Sequence, residues 1–169
     1  MKLTVNKEQI IEGLLKAVAI IPAKAGAQYL RSIWLKADES GLSVMSTDAN
    51  IEFTGCYQAE VAEPGLIGVQ GRAFVDLVRQ LPSGVLHLSL DEASGNLLIE
   101  QGRRSYKLPV SGAEWFQNFS TFPEENTVTW SGDFLQDVLD KVTFCISEDD
   151  AMDAETRRRY LWTPTRGVR

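Results

Sequence analysis

A repeat constrains this chain more than any other feature. LTVNKEQIIEGLLKAV opens with a β-type run, Leu3-Thr4-Val5, and passes into a helical pattern. Ile10, Ile11, Leu14, Leu15 and Val18 recur with the period of one helix face. Sixty-four residues on, Val69 leads into GRAFVDLVRQLP. There Phe74, Leu77, Val78 and Leu81 repeat the spacing, and Pro82 predicts a stop. NTVTWSGDFLQDVLDKV is a third copy, whose Phe134, Leu135, Val138, Leu139 and Val142 match the first helix position for position. Repeated units of this kind bury their apolar faces against one another.

Strands fill the intervals. SIWLKADESGLSVMST predicts a hairpin turning at Glu39-Ser40-Gly41, and NIEFTGCYQAEV continues the sheet. After the second helix come VLHLSLD, the turn EASGN, LLIEQ, a turn at Gly102, and RRSYKLPV. Each unit reads as strand, helix, then several antiparallel strands. Two units fill the first 120 residues and can close one core, which makes the fold class α+β. Residues 1–120 form the expected first domain, and 121–127, within FSTFPEEN, a linker. The expected second domain, 128–169, is incomplete and ends in an irregular basic tail.

That tail is where composition enters. Five arginines lie between Arg157 and Arg169, leaving twelve basic residues against twenty-three acids in the whole chain. A net charge of −6 argues against a nonspecific DNA coat, but not against a few cations gathered on one surface. The tail reads either as a nucleic-acid arm or as the place where the third unit's strands are cut off. No apolar run is long enough to span a bilayer, and MKLTVNKEQI lacks the apolar segment of a secretory signal. Cytoplasmic residence is the default expectation. Cys56 and Cys145 match no metal or redox spacing and read as reduced, largely buried thiols.

In order and spacing, several stretches resemble the bacterial DNA polymerase III beta subunit, the sliding clamp. They are MKLTV with its helix, GLSVMSTDANIE, EPGLIGVQGRAFVDLVRQLP and IEQGRRSYKLPV. The resemblance runs from Met1 to about Met152. It implies three domains per full-length chain, each of two such repeats, joined head to tail with a second chain. The implied ring has helices lining the hole and sheets outside. It encircles duplex DNA and tethers the polymerase, so the chain is a non-catalytic accessory subunit of a DNA-directed polymerase, without cofactor or metal. Its implied partners are duplex DNA, other clamp chains and, for the full-length form, DNA polymerase III and clamp-loader subunits. The chain itself reads as an N-terminal fragment or truncated product. The alternative is a self-standing module that binds itself or a full-length clamp through its edge strand.

A sliding ring contacts phosphates, because phosphate contacts carry no sequence information. By the resemblance, Lys24, Arg72 and Arg79 face the duplex, joined by Lys16 and Lys7 on the first helix. Glu12–Lys16 and Arg72–Asp76 also have the i,i+4 spacing of ordinary solvated helix pairs. Asp133, Asp137 and Asp140 give the third helix a face that repels phosphate. The resemblance further places a subunit interface on Arg103, Arg104, Ser105, Tyr106, Lys107 and Leu108, flanked by Ala73, Leu77 and Leu81. A basic edge strand also protects itself from aggregation.

Other motifs resolve into ordinary structure. DDAMD, Asp149 to Asp153, matches a magnesium-binding pattern but stands alone in a β-rich chain. Gly65, Gly68 and Gly71 do not fit phosphate-loop spacing. The single histidine, His87, alternates with Leu86 and Leu88 and faces solvent. Trp34, Trp115, Trp130 and Trp162 read as core and interface residues rather than stacking platforms.

Overall fold

A computed structural model of the chain describes residues 1–22, 28–116 and 128–143. The chain divides into two compact units, Met1–Ser120 and Thr121–Arg169. The first contains β1 (Lys2–Asn6), α1 (Lys7–Ile20), β2 (Ser32–Asp38), β3 (Gly41–Thr47), β4 (Glu52–Tyr57) and β5 (Glu60–Glu63). It continues with β6 (Gly65–Gln70), α2 (Gly71–Gln80), β7 (Val85–Asp91), β8 (Asn96–Gln101) and β9 (Arg104–Ser111). The second contributes α3 (Gly132–Val142).

The expected α+β architecture is present, with one added feature: the two repeats exchange their leading strands. The sheet order is β4-β3-β2-β6-β9-β8-β7-β1-β5, antiparallel throughout. β1 opens the first repeat but pairs along its length with β7 of the second, and more briefly with β5 of its own; β6 opens the second but pairs along its length with β2 of the first, and only at Gly68 and Val69 with β9 of its own. Neither repeat therefore completes its own sheet. NIEFTGCYQAEV does not run on as one strand. It breaks after Tyr57 into β4 and β5, which occupy opposite ends of the strand order.

Alternating strand residues meet the buried helix faces in one core. Leu3 and Val5, Ile33 and Leu35, Leu42 and Val44, Leu86 and Leu88, and Leu97 and Ile99 come from strands; Ile10, Leu14, Phe74 and Val78 come from helices. The α1 stripe is rotated from the expected face. Gly13 and Ala17 are buried, whereas Leu15 is 40% exposed. The small residues win because Tyr57 packs against the helix at Gly13, where an added Cβ would lie 1.7 Å from the Tyr57 Oη. On α2, Val75 joins Phe74, Val78 and Leu81 inside, and Leu77 is half-buried.

Trp34 is 1% exposed on the opposite face of β2, between Met45 and Gly68 in the ladder. Its ring meets Phe116 edge-on at 5.3 Å, a favourable aromatic geometry. Trp115 and Trp130 are exposed, contrary to a core role, and Trp162 lies outside the described residues. Cys56 is also exposed, because its strand position points away from the core, with its Sγ 3.7 Å from Ser43 Oγ. Cys145, the DDAMD motif, the proposed linker and the basic tail lie outside the described residues.

The loop between β3 and β4 carries local strain. Thr47 Oγ1 donates to the Ile51 carbonyl at 2.9 Å and accepts from Ala49 N at 3.0 Å. Asp48 Oδ1 accepts from Asn50 N and Ile51 N at 2.8 and 2.7 Å. Those backbone donors hold the Asp48 carboxyl below the usual carboxylate range. This network keeps Ala49 at φ 80°, which costs a non-glycine residue about 1–2 kcal/mol. Ala49→Gly relieves that strain against a smaller gain in unfolded-chain entropy, so stability should rise by about 0.5–1 kcal/mol in urea denaturation. An unchanged or lower midpoint would show that the network does not enforce this geometry.

Candidate nucleic-acid interface

The polar faces of α1 and α2 follow from burying the apolar ones. With Ile10, Leu14 and Ala17 turned inward, Glu8, Glu12 and Lys16 are exposed on α1. With Phe74, Val75 and Val78 inward, Arg72, Asp76, Arg79 and Gln80 are exposed on α2. The periodicity predicts these outward positions correctly. Among the described residues, neither Glu12–Lys16 nor Arg72–Asp76 closes into a salt bridge. Lys16 and Arg79 thus keep their cationic heads available. Lys24 lies outside the described residues.

Two expected cations have partners inside the fold. Lys7 is half-buried, and its Nζ donates to the carbonyl of Arg79 at 3.1 Å and to that of Leu81. Its ammonium is therefore engaged at the end of α2, with one donor left over. Arg72 Nη2 donates to the Ile21 carbonyl at 3.2 Å, at the end of α1. The guanidinium fork has donors left over, so this bond does not exhaust Arg72. The periodic pattern shows neither bond, although both cations sit in a helix's first turn, where the helix dipole disfavours them.

The same corner holds acids. Gly84 N donates to Glu8 Oε1 at 3.1 Å, and Lys7 N donates to the Gly84 carbonyl at 3.0 Å. The Ser83 hydroxyl, first, and the adjacent backbone donors lower the Glu8 carboxyl below its usual range. The exposed cations Lys16, Arg72 and Arg79 thus share their surface with Glu8, Glu12 and Asp76. Such a mixed surface carries no strong cationic field.

The edge strand is open where the resemblance implies a subunit interface. β9 pairs with β8 from Arg104 through Pro109, but with β6 only at Val110 and Ser111. Among the described residues, Arg104 to Pro109 therefore has no strand on its other side. Arg103, Arg104, Ser105 and Lys107 are exposed. Tyr106 and Leu108 are half-buried and already pack against the chain's own core. Ala73 and Leu77 are half-buried on α2. Leu81, at 4% exposure, belongs to the core and offers almost no surface to a partner.

On α3 the Ser131 Oγ caps the helix by accepting from Phe134 N at 3.3 Å. Asp133, Asp137 and Asp140 are exposed, and Lys141 Nζ stands 2.6 Å from Asp137 Oδ2. No group of three or more potential metal ligands converges among the described residues. None of the described helices is long and apolar enough to cross a membrane.

Comparison with known proteins matches this geometry to one family. The family model described as DNA polymerase III beta subunit, N-terminal domain, matches residues 1–120. The beta sliding clamp of Streptomyces coelicolor is 27% identical over 159 residues, covering 92% of this chain and 41% of the relative. That of Caulobacter vibrioides is 27% identical over 151 residues, covering 89% and 41%. This chain thus spans about two fifths of the length of these relatives. Among solved structures, Caulobacter crescentus pol III beta superposes with a TM-score of 0.82 at 27% identity, covering 89% of this chain and 41% of that one. The Bacillus subtilis sliding clamp shares the fold, with a TM-score of 0.83 at 19% identity, over 90% of this chain and 42% of that one. With a strand-exchanged double repeat and a matched first domain, this chain belongs to the DNA polymerase III beta subunit family.

Proposed function

We propose that the chain supplies the first domain, and the start of the second, of a sliding clamp that holds duplex DNA through nonspecific phosphate contacts and tethers a polymerase. It acts without chemistry of its own, as an accessory subunit of a DNA-directed DNA polymerase. The observation that carries this reading is the exposed face of α1 and α2, where Lys16, Arg72 and Arg79 point away from the shared core. Flexible cations on rigid helices suit a partner that must slide, since they attract phosphate without reading bases. Lys24 belongs to the same proposed set. In a full-length form the partners include DNA polymerase III and clamp-loader subunits.

The proposed subunit contact is the open side of β9. Arg103, Arg104 and Lys107 meet acids of another clamp chain, while Ser105, Tyr106 and Leu108 extend its sheet. Ala73 and Leu77 flank this contact, and Leu81 supports it from the core. Main-chain pairing along an open edge supplies affinity, and the alternating side chains supply selectivity.

The test is a salt titration of duplex binding by the 169-residue chain. Each phosphate contact contributes about 0.9 to the slope of log affinity against log salt. Lys16→Ala and Arg79→Ala should each lower the slope by about that amount, equally for unrelated duplex sequences. Salt-independent binding, or losses confined to one sequence, would contradict the proposal.

A further inference from the structure

Each helix of the first unit carries a cation in its first turn: Lys7 in α1 and Arg72 in α2. For the helix that bears it, this is the unfavourable end, because helix N-termini are already positive. Each side chain instead crosses to the end of the other helix. Lys7 reaches the carbonyls of Arg79 and Leu81, and Arg72 reaches that of Ile21. The repeat thus makes a reciprocal pair of helix-end caps from two different residue types.

We propose that Lys7 is a positioning residue for the duplex-facing surface, acting through Arg79 rather than on phosphate. The inference rests on the DNA reading above. One carbonyl held by the Lys7 ammonium belongs to Arg79 itself, whose side chain stands on the exposed face. The bond fixes the backbone from which that side chain extends. It also covers terminal carbonyls carrying about half a negative charge, which would otherwise face incoming phosphates beside Arg79. The Lys7 backbone closes the same corner by donating to Gly84, whose N–H is held by Glu8. Lys16, on the exposed face of α1, has no bond to the end of α2 among the described residues.

The test is a double-mutant cycle on the full chain with a short fluorescent duplex at about 50 mM salt, where phosphate contacts are strong. Lys7→Met keeps the stem and removes the ammonium. It should weaken binding several-fold without changing the salt slope. Arg79→Ala should then have little further effect, while Lys16→Ala keeps its full effect in the same background. Lys7→Arg, which can still donate to both carbonyls, should restore binding. Amide exchange at Leu81 and Gly84 should accelerate in folded Lys7→Gln and return to normal in Lys7→Arg. A slope lowered by about 0.9 in Lys7→Met, with an undiminished Arg79→Ala effect, would make Lys7 a phosphate contact and overturn the inference. So would wild-type affinity in Lys7→Met, or unchanged amide exchange in Lys7→Gln. Failure of the unsubstituted chain to bind duplex would instead sink the DNA reading itself.

Discussion

Phe74→Ala should cost the first unit about 3–5 kcal/mol in urea denaturation, the usual range for truncating a buried phenylalanine. Phe74 is 0% exposed and sits where α2 meets the core shared by both repeats. A domain of this size has about 5–15 kcal/mol in all, so the variant should be only marginally folded. Strand exchange makes the loss global, because the core of each repeat is roofed by strands of the other. The matching change in the third copy, Phe134→Ala, should cost less than about 1 kcal/mol, since substitutions at exposed sites usually have small effects. Phe134 is 50% exposed, with Leu135, Leu139 and Val142 also exposed beside it. Similar costs at the two sites would refute this difference in burial; a loss under about 1 kcal/mol at Phe74 would refute the shared core.

Those two phenylalanines also mark what the sequence can reveal. Hydrophobic spacing identifies a helix and its apolar face, and α1, α2 and α3 lie where the spacing puts them. It carries no information on what covers that face. Ile10, Phe74 and Phe134 occupy one repeat position, yet the first two are buried and the third is half exposed. The outward residues Lys16, Arg72 and Arg79 were legible for the same geometric reason. The engagement of Lys7 was hidden because it depends on bringing together residues more than seventy positions apart. Leu15 was misplaced because periodicity favours the larger side chain, whereas packing at Tyr57 favours Gly13. The break between β4 and β5 was equally invisible, since both pieces have acceptable strand composition and only the closing of the core separates them.

Gly41→Ala should destabilise the first unit by about 2–4 kcal/mol, combining an unfavourable backbone angle with a steric overlap. Gly41 follows the Glu39-Ser40 turn of the β2–β3 hairpin and pairs with Asp38. That turn is fixed: Asp38 Oδ1 accepts from Ser40 N at 2.9 Å and from the Ser40 hydroxyl. With the Ser40 hydroxyl first, and Lys36 next, as causes, the Asp38 carboxyl is lowered to about 2. Gly41 has φ 121°, and a Cβ there would lie 2.4 Å from the Tyr57 carbonyl oxygen. That oxygen is backbone at the end of β4, where the chain leaves for the far end of the sheet order, so it cannot swing aside as a side chain would. Gly95 provides the comparison. Its φ is 64°, but nothing lies within 4 Å of an added Cβ. Gly95→Ala should therefore pay only the backbone penalty, about 1–2 kcal/mol. Chemical denaturation of the two variants separates the contributions: equal losses would mean that the Tyr57 carbonyl yields, and that the passage from β4 to β5 is looser than its backbone contacts imply.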